Sequence, residues 1–147
     1  DGWRVTADAD GRLWNEDGKI YPYLFWEGRG TALYATPERG FVVAREQVST
    51  FLDEKLTAYG LQGREIADFK EFWLPRMQEK PWYFVTFMGN TIMDTLAPLT
   101  VTPTPDTVIR VLMDFHALDA PVAAEGYAIH TPQRKGFTVV EWGGVLR

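Results

Sequence analysis

Tyr21-Pro-Tyr-Leu-Phe-Trp-Glu-Gly28 places four aromatic rings and a carboxylate within eight residues, and its reading decides the architecture of the whole chain. Taken as extended chain from Ile20, it sends Tyr21, Tyr23, Phe25 and Glu27 to one side and Ile20, Leu24 and Trp26 to the other. Both sides are then apolar as far as Glu27, the pattern of a central strand covered on both faces. Pro22 argues the other way at one position, because it lacks the N–H that a ladder requires and suits an edge or a bulge. Near the far end, Phe137-Thr-Val-Val-Glu-Trp-Gly-Gly144 repeats the theme with its Glu–Trp pair in reversed order before glycine. We expect two strands feeding one core, with Trp26 and Trp73 inside it.

Working outward, the residues before Tyr21 read as a β-meander. Asp8-Ala-Asp-Gly-Arg-Leu-Trp14 is followed directly by Asn15-Glu-Asp-Gly-Lys-Ile-Tyr21, so one pattern occurs twice. Asp-Gly between alternating segments is a hairpin signal, since glycine accepts positive φ and the acidic side chain bonds its own turn. After Gly28-Arg-Gly30 a further strand is expected over Thr31–Ala35, then a short one at Phe41-Val-Val43. Val48, Phe51, Leu52, Leu56 and Tyr59 fall on one face of a helix over Arg45–Tyr59, closed by Gly60. A second helix spans Gly63–Trp73, with Ile66, Phe69, Phe72 and Trp73 inward, and Pro75 ends or bends it.

Trp82–Phe87 is dense in β-formers. Between Gly89 and Asp106, prolines at 98, 103 and 105 suggest extended chain with a short strand near Leu99–Thr102. Thr107–Leu118 is the longest strand candidate: Ile109, Val111, Met113 and Phe115 form an apolar face, and Arg110, Asp114 and His116 lie on the mixed one. Asp119–Gly136 is loop, with a short strand expected at Tyr127–His130, before Phe137–Trp142 completes the sheet. The order of strands, two helices and strands again indicates an α+β fold: a mostly antiparallel sheet with a two-helix hairpin packed on one face. A β-sandwich with an inserted helical hairpin is the alternative. No linker is evident, so residues 1–147 are expected to form a single domain.

Composition narrows the function classes. The 147 residues carry 15 basic and 20 acidic side chains, a net charge of −5, and no basic run that could track a phosphate backbone. Nucleic acid is not an expected partner. No apolar stretch approaches the ~20 residues of a membrane span. The absence of cysteine excludes disulfides, thiolate nucleophiles and cysteine-ligated metals. No cofactor is expected. The chain starts at Asp1 with neither Met nor a signal peptide, as a processed or trimmed product would.

Four segments carry a resemblance: Tyr23-Leu-Phe-Trp-Glu-Gly28, Phe72-Trp-Leu-Pro-Arg-Met77, Pro105-Asp-Thr-Val-Ile-Arg-Val111 and Gly136-Phe-Thr-Val-Val-Glu-Trp-Gly-Gly144. Together they resemble an uncharacterised group of bacterial proteins, often exported or lipid-anchored, that carry such segments in this order. The resemblance covers nearly the whole chain. It implies one intact domain with an extracytoplasmic setting, secreted or attached to the cell envelope. It carries over no activity, cofactor or site residue.

The candidate sites are few. Glu27 and Glu141, if on neighbouring strands, would put two carboxylates beside aromatic rings, where desolvation raises a carboxyl pKa and suits a general acid. Separations of ~5 or ~6.5–9.5 Å would fit retaining or inverting glycoside hydrolysis. The plainer reading binds each Glu to backbone amides at the following glycine turn, or pairs it with Arg110. On the mixed face of Thr107–Leu118, Asp114 could orient His116 as a general base beside Arg110. The plainer reading there is a solvated sheet face with a cross-strand ion pair.

Asp8 and Asp10 begin like a calcium loop but lack its later ligands. Trp14, Tyr21 and Tyr23 are the candidates for stacking on a ligand, as exposed rings stack on sugars. The leading expectation is a non-catalytic, extracytoplasmic binding or accessory domain that recognises a polysaccharide or an envelope protein through an aromatic-lined surface. A glycoside hydrolase using Glu27 and Glu141, and a self-associating structural domain, are the alternatives.

Overall fold

A computed structural model describes residues 2–29 and 37–147, and the chain forms two compact units, Asp1–Ala32 and Leu33–Arg147. The content is mixed, with three α-helices, a three-stranded antiparallel sheet and a four-stranded mixed sheet among the described residues. The expected strand at Thr31–Ala35 lies outside those residues.

The smaller unit is a meander of three two-residue strands, β1 (Thr6–Ala7), β2 (Leu13–Trp14) and β3 (Ile20–Tyr21), paired in that order. Its two turns repeat the same chemistry. Asp8 Oδ1 accepts the N–H of Asp10 and of Arg12, both at 2.9 Å, and Asn15 Oδ1 accepts the N–H of Lys19 at 2.8 Å. Gly11 (φ +82°) and Gly18 (φ +75°) supply the left-handed residue that each turn demands.

Here the key stretch departs from expectation. The strand stops at Tyr21, and residues 22–29 belong to no strand. Pro22 ends the ladder of this sheet by withholding a donor. Phe25 and Trp26 are 63% and 46% exposed. The two-sided apolar pattern of a buried central strand therefore has another origin, and Trp26 is not a core residue.

In the larger unit the sheet order is β4 (Phe41–Ala44), β5 (Trp82–Met88), β6 (Thr107–Leu118), β7 (Thr138–Gly144). The first two pairings are antiparallel, but β6 and β7 run parallel, with Arg110 opposite Glu141. Residues 119–137 carry the chain back so that it enters β7 in the direction of β6. Helices α1 (Val48–Ala58) and α2 (Gly63–Trp73) fill the gap between β4 and β5, with short 3-10 turns at Arg45–Gln47 and Leu74–Met77. The Arg45–Tyr59 helix of the sequence thus begins as 3-10, and Gly63–Trp73 forms as expected. A capping box between Gln62 and Glu65 starts α2.

The core draws Val48, Leu52 and Leu56 from α1 and Ile66, Phe69 and Trp73 from α2. From the strands it takes alternate residues, Tyr83, Val85 and Phe87 of β5 and Ile109, Val111 and Met113 of β6, as the two-residue period requires. Trp73 is 3% exposed.

Two expected short strands do not form. Residues 97–106 hold none, and a third helix, α3 (Asn90–Leu96), precedes them. Residues 127–130 hold none either. Instead the Tyr127 hydroxyl accepts the N–H of Phe87 at 2.7 Å and donates to its carbonyl at 3.1 Å. A side chain occupies the edge of β5 beyond the reach of β4. No helix among the described residues is long and apolar enough to cross a membrane.

Candidate functional site

Two groupings collect the residues singled out from the sequence, one in each unit. The first lies on the mixed face of β6. Arg110 and Asp114 are 2% and 1% exposed, so this face is not the solvated one expected. The Arg110 guanidinium donates from Nε to Glu141 at 2.5 Å, from Nη1 to Asp94 at 2.8 Å and from Nη2 to the Ala97 carbonyl at 2.6 Å.

Asn90 explains how α3 reaches it. Past Met88, the β5 edge of β6 has no strand partner, and the Asn90 amide takes that place. It donates to the Val108 carbonyl at 2.8 Å and accepts the Arg110 N–H at 2.7 Å. Asp94, one helical turn further, then stands over the guanidinium. Burial by itself would lower the Arg110 pKa, but hydrogen bonds to Glu141 and Asp94 outweigh it and the net direction is upward. The arginine is a permanent buried cation that clamps β7, α3 and the following loop to one strand. A cavity of about 270 Å³ lies beside it, lined by Leu99, Val101, Pro105 and Val108 as well as Asn90 and Asp94.

Asp114 is held differently. Arg147 donates to both of its oxygens, at 2.8 and 2.9 Å, while His116 Nε2 lies 3.6 Å from Oδ1, beyond hydrogen-bond length. Both Asp114 oxygens thus accept from Arg147, with His116 standing beside one of them.

Glu141 lies on β7, bound to Arg110; Glu27 is exposed, in the smaller unit and in no strand. The expectation that both mark strands of one sheet is not met, because the chain leaves its ladder at Pro22. Asp8 and Asp10 serve their turn, and Arg12 lies 3.5 and 3.4 Å from their carboxylates. Among the described residues no group of three His, Asp or Glu side chains is placed to hold a metal ion.

The second grouping is the cleft of the smaller unit, about 580 Å³, within the usual range of ~300–1,000 Å³ for small-ligand sites. Trp3, Tyr21, Tyr23 and Phe25 line it. Trp3, Tyr23 and Phe25 are 58%, 39% and 63% exposed. Besides the two tyrosine hydroxyls, the polar groups in its lining are Arg4, Asn15, Glu16 and Asp17. Arg4 pairs with Glu16 at 3.5 Å, the Asn15 amide reaches Asp17 at 3.4 Å, and the Lys19 ammonium sits 5.1 Å over the Tyr21 ring.

Of the three ligand-stacking candidates, Tyr21 and Tyr23 line the cleft. Trp14, half-buried in β2, does not. Trp3 and Phe25 line the cleft too, although alternation alone assigns Phe25 to a covered strand face and gives Trp3 no special place. Their signal was Pro22: rings beyond a strand-ending proline have no sheet to cover them. Comparison finds no family model, no curated protein and no solved structure that matches this chain.

Proposed function

We propose that this protein is a non-catalytic binding domain that recognises a glycan or a protein through the aromatic cleft of residues 2–25, followed in the chain by a larger unit built as a helical hairpin laid on one sheet face. The observation that carries this reading is the exposure of Trp3, Tyr23 and Phe25 around one cleft. Ring faces left in water lose the ~25 cal/mol per Å² that burial would return, and a partner can recover it. The commitment of Glu141 to Arg110 and of Asp114 to Arg147 supports the non-catalytic part, because both carboxylates already serve cations of the fold. An extracytoplasmic setting, at or beyond the cell envelope, belongs to the same proposal and rests on the resemblance to exported and lipid-anchored bacterial proteins.

A broad glycan array probed with the labelled full chain, together with a pull-down from envelope extract, tests this reading. We expect a saturable partner in at least one of the two, lost when Trp3 and Phe25 are both changed to alanine. If both stay empty, or the double variant binds as well as the parent, the reading fails.

A further inference from the structure

We propose that the cleft takes an uncharged glycan chain, an inference that rests on the binding reading above and adds the ligand's chemistry. It comes from matching donors and acceptors rather than from the rings alone. Four rings offer apolar plates for the C–H faces of sugars, or equally for the rings of a proline-rich peptide. The polar lining separates the two.

Glu16 and Asp17 are carboxylates and can only accept hydrogen bonds, Arg4 can only donate, and the Asn15 amide does both. Sugar hydroxyls donate and accept, so a row of them satisfies all four groups. An extended proline-rich backbone presents carbonyls, which only accept. Seated here, it would bring neither carboxylate a donor beyond Arg4 and the Asn15 amide that already face them, whereas sugar hydroxyls would.

Charge decides the remaining choice. Arg4 and Lys19 balance Glu16 and Asp17 around the cleft, so it offers no net cation to an acidic polysaccharide. The Arg4 guanidinium is in addition engaged by Glu16. The side chains that pair in the cleft, Arg4 with Glu16 and Asn15 with Asp17, hold each other in reach of a ligand's hydroxyls.

The experiment is calorimetric titration of the full chain, at low and at high salt, with three probes. These are neutral oligosaccharides of glucose, xylose or N-acetylglucosamine, an acidic oligosaccharide of uronic acid, and a proline-rich peptide. We expect a neutral oligosaccharide to bind with an affinity that salt hardly changes. Trp3→Ala and Phe25→Ala should each weaken it about tenfold, whereas Phe25→Tyr, which keeps the ring, should retain it. Both alanine sites are exposed, so unchanged thermal unfolding is expected and distinguishes lost contact from lost fold.

Binding of the acidic probe alone, or an affinity that collapses with salt, overturns the uncharged-glycan inference while leaving the aromatic-surface reading intact. Binding of the peptide alone does the same. Neutral-glycan binding that Trp3→Ala and Phe25→Ala leave unchanged removes the cleft from both.

Discussion

Arg110 is the residue on which the larger unit turns. A guanidinium at 2% exposure loses its hydration, and the hydrogen bonds to Glu141 and Asp94 more than offset that loss while both partners are in place. Replacing Arg110 with Met should cost about 3 kcal/mol in urea unfolding, the low end for a broken buried pair because Glu141 keeps some access to water. Adding Glu141→Leu should restore much of that loss. If the double variant is instead as unstable as the sum of its parts, the two side chains are not acting as a pair.

Tyr59 gives a second residue-scale expectation. Burial first, and then its neighbour Tyr127, raise the Tyr59 pKa well above its ordinary value of 10.0. Above about pH 10 the unfolded chain releases a proton that the native one keeps, so the unfolded state binds fewer protons and stability falls as pH rises. Tyr59→Phe should make that alkaline decline shallower. Its hydroxyl bond to the Phe87 carbonyl is long, 3.4 Å, so little stability at neutral pH should be lost.

Among the elements, β7 illustrates how glycine placement sets packing. A Cβ built on Gly144 would lie 2.6 Å from Trp73 Cζ2, whereas one on Gly143 would meet Leu112 Cδ1 at an ordinary 3.7 Å. Gly144→Ala should therefore cost about 1–3 kcal/mol by overpacking and alter the near-ultraviolet circular dichroism of the tryptophans. Gly143→Ala should do neither to the same degree.

The same elements define what the sequence made legible. The inward faces of α1 and α2 and of β5 and β6 followed from periodicity, because long periodic segments report burial directly. Helix α3 did not, since seven residues give under two turns of pattern and the prolines downstream suggested extended chain. Its anchoring through the Asn90 side chain is a contact with Val108 and Arg110, some twenty positions away. Such long-range satisfaction of a strand edge leaves no local signature. The burial of Arg110 and Asp114 was hidden for a related reason: strand alternation names two faces but not what covers them.

For the whole molecule, two compact units divide the chemistry. Leu33–Arg147 has its own core, and its buried Arg110 and Asp114 hold strands, a helix and Arg147 together. Asp1–Ala32 has two-residue strands, two matched turns and a set of exposed rings. The aromatic stretch that reads as a central strand instead lines part of the cleft proposed to take a ligand, with Pro22 as the point of departure.

The most direct test of the central claim is the tryptophan indole N–H spectrum of the full chain, recorded by nuclear magnetic resonance as a neutral oligosaccharide is added. We predict that the Trp3 resonance shifts progressively to saturation, while that of Trp73, buried in the larger unit, stays in place. A shift at Trp73 with Trp3 unmoved would contradict the assignment of binding to the aromatic cleft.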